Sequence, residues 1–198
     1  MRLFEQQIYT DRRNKLKKTV GNGQILFFGN NEAPMNYLSN TYRFRQDSNF
    51  LYYFGIQMAG LVGFIDIDKD IEIIFGHELT IDDIIWEGPI EPLSSLADKV
   101  GVETIQPLEN LIKFINTSAV KFLPPYRGDR EIFIAKTLGI TASPSVDLIK
   151  AVVVQRSRKS IEEIAEMTKA VNITRNMHLA AIKATRPGKY EYEIVAEI

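Results

Sequence analysis

Hydrophobic and polar positions along this chain change period several times, and the changes mark out its elements. Residues 4–19 (FEQQIYTDRRNKLKKT) hold no Gly or Pro and many helix formers, so they predict a helix stopped by Gly21-Asn22-Gly23. Within it Arg12, Arg13, Lys15, Lys17 and Lys18 read as one solvated face. Gln24–Phe28 (QILFF) is an apolar run of strand length ended by Gly29-Asn30-Asn31, and residues 30–41 read as a polar loop. Residues 60–66 (GLVGFID) and Ile71–Phe75 (IEIIF) flank Asp68-Lys69-Asp70, the clearest hairpin pattern in the chain. Thr80 is a helix-capping residue opening TIDDII, and Trp86 follows before Gly88-Pro89. Residues 92–100 and 107–115 predict helices, 120–123 a short strand closed by Pro124-Pro125, and 129–138 a helix stopped by Gly139. Strands alternating with helices predict an α/β domain whose mixed β-sheet is flanked by helices.

The pattern changes after about Ser143. Residues 146–154 are strongly apolar, and 155–160 (QRSRKS) read as a basic linker. Ser160 with Glu163 forms a capping box at the start of a long helix, which carries Ile164, Met167, Val171, His178 and Ile182 at helical spacing. Arg186-Pro187-Gly188 breaks it, and residues 190–198 open a further helix. This reads as a first domain, residues 1–155, followed by the linker and start of a second, residues 156–198. The apolar face of the long helix calls for a partner that this chain need not contain.

Residues 42–55 (YRFRQDSNFLYYFG) stand apart, with six aromatics, two arginines and one carboxylate in fourteen positions. Such a load predicts a loop entering the core, with Asp47 close to Arg43 or Arg45 because a buried guanidinium needs an acceptor. A short helix follows, with Ser48 as its N-cap and Gly55 at its C-terminal end.

Composition narrows the functional classes. The 198 residues are 45% hydrophobic and 25% charged with a formal net charge of −1, values of a soluble globular protein without whole-chain attraction for nucleic acid or anionic membrane. Cysteine is absent, which removes disulfides, thiolate metal sites and a cysteine nucleophile, and suits a reducing cytoplasm. The charged start from Arg2 onward is unlike a signal peptide, and no apolar run reaches the roughly 18 residues that span a bilayer. The expected setting is cytoplasmic and away from membranes.

Candidate chemistry is sparse. Only His77 and His178 are present, the first in a turn beside Glu78, the second expected to pack on an apolar helix face. Asp66, Asp68 and Asp70 alternate around the hairpin, where turn formation and solvation explain them better than a metal does. No GxSxG, Walker A or GxGxxG pattern occurs. Trp86, the single tryptophan, sits among Asp82, Asp83 and Glu87, and two readings stand equally: an exposed aromatic platform or ordinary burial at a helix end. From its residues alone, the chain carries no complete active site.

Four motifs in order nevertheless give a specific resemblance spanning nearly the whole chain. Arg45-Gln46-Asp47-Ser48 with Phe50, Tyr52 and Gly55 resembles the signature of the N-terminal domain of aminopeptidase P, an Xaa-Pro aminopeptidase related to prolidase and creatinase. Trp86-Glu87-Gly88 is similar to the tryptophan segment after that domain's hairpin. Arg156, Lys159, Ser160, Glu162, Glu163 and Ile164 resemble the junction opening the family's catalytic domain, and Arg186-Pro187-Gly188 with Glu191 resembles the turn after its first helix. Ile161 departs from the proline many relatives place there, while the capping serine is kept.

The resemblance implies the family's N-terminal α/β domain followed by the first helix of a truncated pita-bread domain. That fold holds two metal ions, usually manganese, through ligands lying beyond the R-P-G turn, so the implied fragment binds no metal and is inactive alone. It further implies a homo-oligomer acting on peptides with proline second. Trp86 and Arg156 are then candidates for the rim of the substrate cleft, while Arg45, Gln46, Asp47, Ser48, Tyr52 and Gly55 are structural identifiers. The competing expectations are the same domain in a prolidase, or in a peptidase-like protein that binds peptides without cleaving them.

Overall fold

The computed structural model describes residues 3–198 except Leu79 and Ala142, and of Glu87 the backbone alone. Its centre is a five-stranded mixed sheet in the order β4-β3-β2-β1-β5. The hairpin forms where the sequence places it: β2 (Val62–Asp66) pairs antiparallel with β3 (Ile71–Phe75), and Asp70 takes the left-handed conformation that closes the turn, at φ 53°. β1 (Gln24–Phe28) lies antiparallel to β2, and Gln24 faces Asp66. The edges are parallel additions, β4 (Thr104–Gln106) on β3 and β5 (Val120–Phe122) on β1. β4 is new relative to the sequence reading, because three partly exposed residues show no period of their own.

Strand alternation divides the core into two layers. Ile25 and Phe27 of β1, with Ile65 and Ile74, face a cluster that includes Tyr9, Leu16, Leu93, Ala97, Leu148 and Val152. These come from α1 (Gln6–Val20), α4 (Leu93–Lys99) and α7 (Val146–Ser157), and α2 (Ser48–Phe54) adds Phe50, Tyr53 and Phe54. Leu26, Phe64, Ile73 and Phe75 face the opposite way onto Leu111 of α5 (Leu111–Phe114), Phe122, Ile134 and Leu138. Ile134 and Leu138 belong to a π-helical turn that continues α6 (Gly128–Phe133) and ends at Gly139. A sheet covered on both faces explains why β1 and β2 read as unbroken apolar runs.

Two expectations are corrected here. The basic face of α1 is only partly solvated, because Arg12 and Arg13 are buried. Arg13 donates through Nε to Glu72 (2.6 Å), through Nη1 to the Tyr53 carbonyl (2.9 Å), and through Nη2 to the Val100 and Gly101 carbonyls (2.8 and 3.0 Å). One guanidinium thus ties α1 to the ends of α2 and α4 and to β3, its fork matching acceptors that no lysine would satisfy. Burial pulls its pKa down, and Glu72 opposes that shift. Residues 155–157 are not linker but the last turn of α7. Gln155 is buried there, donating to the Arg12 carbonyl (2.9 Å) and accepting from the Tyr53 hydroxyl (3.3 Å).

By contacts within the chain, residues 1–155 and 156–198 form two compact units. In the second, Ser160 and Glu163 make the capping box of α8 (Ile161–Ala184), whose only buried residue is Ala184. His178 is exposed along with Ile164, Met167, Val171 and Ile182 instead of packing. After the break at residues 185–190 comes α9 (Glu191–Val195).

Candidate functional site

The signature at residues 45–55 is built as a joint. Gln46 is its centre: Oε1 accepts from the Asn30 and Asp47 amides (2.6 and 3.0 Å), and Nε2 donates to the Ile56 and Met58 carbonyls (3.3 and 2.6 Å). A single buried amide therefore fastens the loop after β1 to both ends of the α2 segment. Asp47, rather than Ser48, is the N-cap of α2, accepting from the Asn49 and Phe50 amides (both 2.8 Å) through Oδ1. Ser48 becomes the first helical residue.

The anticipated pairing of Asp47 with Arg43 or Arg45 is absent among the described residues. Both arginines are exposed, and the Arg45 contribution is its carbonyl, which accepts from Asn30 Nδ2 (2.9 Å). Buried guanidinium groups do reach this segment, but they come from α1, 40 residues away in the chain. The Arg12 guanidinium lies 4.0 Å over the Tyr52 ring, and its Nη1 donates to the Tyr52 carbonyl (3.0 Å). Gly55 ends α2 at φ 68°, and an added Cβ would fall 2.5 Å from Tyr9 Cζ.

The hairpin carboxylates are likewise structural. Asp66 is buried and accepts from Gln24 Nε2 (2.8 Å) and the Lys69 amide (3.1 Å), so it is less solvated than its turn position predicts. Asp68 accepts from the Gly23 amide (3.1 Å), and Asp70 pairs with Lys17 (2.8 Å). Among the described residues no group of three or more His, Cys, Asp or Glu side chains is placed to hold a metal ion.

Trp86 lies on α3 (Ile81–Glu87), a helix held by a Thr80–Asp83 capping box and without a buried residue among those described. The tryptophan is 86% exposed and Ile81 and Ile85 are exposed beside it, so it is not buried at the helix end. The Glu87 side chain of the same motif lies outside the described residues. Arg156 is half-buried in the last turn of α7 and opens the second unit, whereas Trp86 belongs to the first.

Beside α3 runs a groove of about 1050 Å³, lined by Glu5, Phe44, Met58, His77 and Ile90 among others. No motif pointed to it, since its walls come from residues 3–6, the loop after β1, residues 55–59, the segment after β3, α3, and α4 with the residues before it. Two of its carboxylates are held below their ordinary pKa. Lys99, followed by Ser95, does this for Glu91, and the Thr80 backbone and hydroxyl do it for Asp83.

The family model described as "Aminopeptidase P, N-terminal domain" matches residues 9–121. Human Xaa-Pro dipeptidase is 24% identical over 191 residues, covering 92% of this chain and 38% of its own. A "Probable Xaa-Pro aminopeptidase" of Ajellomyces capsulatus is 30% identical over 161 residues, covering 77% of this chain and 33% of its own. Among solved structures, a variant of Escherichia coli aminopeptidase P superposes with TM-score 0.82 at 21% identity, over 99% of this chain and 49% of that one. The same enzyme with the inhibitor Pro-Leu gives TM-score 0.80 at 22% identity, over 99% and 48%. These structures establish the shared fold, and the chain spans about two fifths or less of the curated relatives it matches. With 113 of its 198 residues matched by one family model, the chain belongs to the aminopeptidase P N-terminal domain family.

Proposed function

We propose that this chain serves as the noncatalytic domain of a metal-dependent Xaa-Pro aminopeptidase, helping to assemble a homo-oligomer and walling the mouth of its active site. The full protein would release an N-terminal residue that precedes proline and would work in the cytoplasm. The observation that carries the reading is the family match across residues 9–121, continued by similarity to relatives named for Xaa-Pro peptide hydrolysis. In such an enzyme two manganese ions would supply an activated water and polarise the scissile carbonyl. The described residues do not fit that site, having no converging set of ligands, so its ligands would come from other residues. What this chain offers instead is surface. Trp86 is exposed on a helix with no buried residue among those described, a position suited to packing against a peptide or a proline ring. Arg156 is the second candidate for the rim, reaching a downstream carboxylate or an acidic partner.

The similarity to human Xaa-Pro dipeptidase favours a second reading, in which the full protein cleaves only dipeptides. Assaying the full-length protein with manganese on Xaa-Pro dipeptides and on longer Xaa-Pro peptides separates the two. Cleavage of the longer peptides supports the aminopeptidase, and cleavage confined to dipeptides supports the second reading. Trp86→Ala in that protein should lower kcat/KM about tenfold, the effect of losing roughly 1.4 kcal/mol of transition-state binding. Unchanged kinetics at matched oligomeric state would remove Trp86 from the rim.

A further inference from the structure

The groove beside α3 combines two properties that point to one kind of occupant. Its floor is apolar and only partly covered: Phe4, Phe44, Met58 and Leu96 are half-buried, and Ile90 is exposed. Its rim is acidic, with Glu5, Glu32, Glu78, Asp83 and Glu91 set against one ammonium among the described residues, Lys99. The chain as a whole is nearly neutral at −1, so this concentration of negative charge is local.

Three of the carboxylates already have work within the fold. Glu78 accepts from the Leu93 and Ser94 amides at the start of α4 (3.1 and 2.9 Å). Asp83 closes the α3 capping box, and Glu91 pairs with Lys99. Glu5 and Glu32 are different: both are exposed and have no side-chain partner among the described residues. At about 1050 Å³ the groove lies at the upper end of small-molecule clefts and has room for a short run of extended peptide.

We propose that this groove docks a peptide segment in which basic residues alternate with apolar ones, its apolar side chains lying on Phe44, Met58 and Ile90 and its cations meeting Glu5 and Glu32. An acidic segment is disfavoured by the same rim, and a purely apolar one leaves the two free carboxylates facing it without a counter-charge. The inference concerns binding alone and stands whether or not the full protein is a peptidase.

The test uses the 198-residue chain and a fluorescein-labelled heptapeptide alternating lysine with leucine, blocked at both ends. A glutamate–leucine counterpart serves as the control. Anisotropy at low salt should show the basic peptide bound at least about tenfold more tightly than the acidic one. Raising the salt to about 0.5 M should remove most of that difference, because rim charges are screened. The double variant Glu5→Gln, Glu32→Gln should weaken the basic peptide about fivefold, within the range for two exposed ion pairs. Ile90→Asn, at an exposed position, should weaken it as well by placing an uncharged polar group on the floor, and neither variant should shift the melting temperature. Equal affinity for both peptides, or binding unaltered in both variants, would overturn the proposal. So would a dimer that excludes the peptide and that Ile90→Asn dissociates, since a second copy would then be the occupant.

Discussion

Residues 1–155 and residues 156–198 are built on opposite principles. The first unit closes two apolar layers around a sheet, and two of its buried charges are well met: Arg13 has four acceptors, and Asp66 has an amide from Gln24 and another from Lys69. The second unit has helices with sound local signals, a capping box and a helix-breaking turn, yet Ala184 alone is buried on α8. Ile161, Val171, Ile173 and Ile182 are all more than 60% exposed. Local capping marks where α8 begins, while burial is what makes a domain. The contrast predicts that substitutions in the first unit register in global unfolding and those in the second register locally.

The largest effect should come from Arg13→Met. It leaves Glu72 without its closest cation and three carbonyls without donors, costing about 3–5 kcal/mol and visible as a large fall in the denaturation midpoint. Ile173→Asp in the second unit, by contrast, should leave that midpoint within about 0.5 kcal/mol of the parent. A comparable loss from Ile173→Asp would break the comparison.

Next in size is Gln46→Leu, which strands the Asn30 amide and the Met58 carbonyl and should cost about 2–4 kcal/mol. Arg45→Ala, one residue away, should cost less than about 0.5 kcal/mol because only its backbone carbonyl is used. Chemical denaturation of both variants checks the pair, and a reversed order would return the buried role to Arg45. Ser160→Ala should remove the α8 cap at about 1 kcal/mol. Its mark should be faster amide exchange in the first turn of α8, with residues 1–155 unaffected.

The smallest effect is a pH dependence. Lys121, 2.7 Å away, holds the Asp147 carboxyl below its ordinary value, with the Leu148 amide adding to the shift against some desolvation. A folded-state pKa below the unfolded one gives stability that is present above the unfolded value, about 3.9, and lost as pH falls through the folded one. The stability difference between the parent and Lys121→Met should therefore shrink as pH drops below about 4. Because Asp147 is half exposed, the difference should stay under about 1 kcal/mol even at neutral pH.

What the sequence made legible was local. Periodicity and caps place β1, the hairpin, the helices at residues 92–100 and the capping box at Ser160 close to where the structure has them. The misses are tertiary. A run such as Arg12-Arg13-Asn14-Lys15 looks solvated until α2 and α4 bring carbonyls to Arg13, and nothing in QRSRKS reveals that Gln155 will find Arg12 and Tyr53. Asp47 and Ser48 are both good caps, and the choice falls to the residue whose backbone Gln46 holds outside the helix. Trp86 was visible as unusual, but its exposure follows from the failure of α3 to meet the core. The groove was invisible, since its walls come from segments as far apart as Glu5 and Lys99.

We have proposed that this domain supports a peptidase without performing its chemistry. The direct measurement is hydrolysis of an Xaa-Pro peptide by the purified 198-residue chain with added manganese, beside the full-length protein at equal molarity. The account predicts turnover by the full-length protein and none above background by the chain. Turnover by the chain alone, persisting through repurification and lost on chelation, would contradict it.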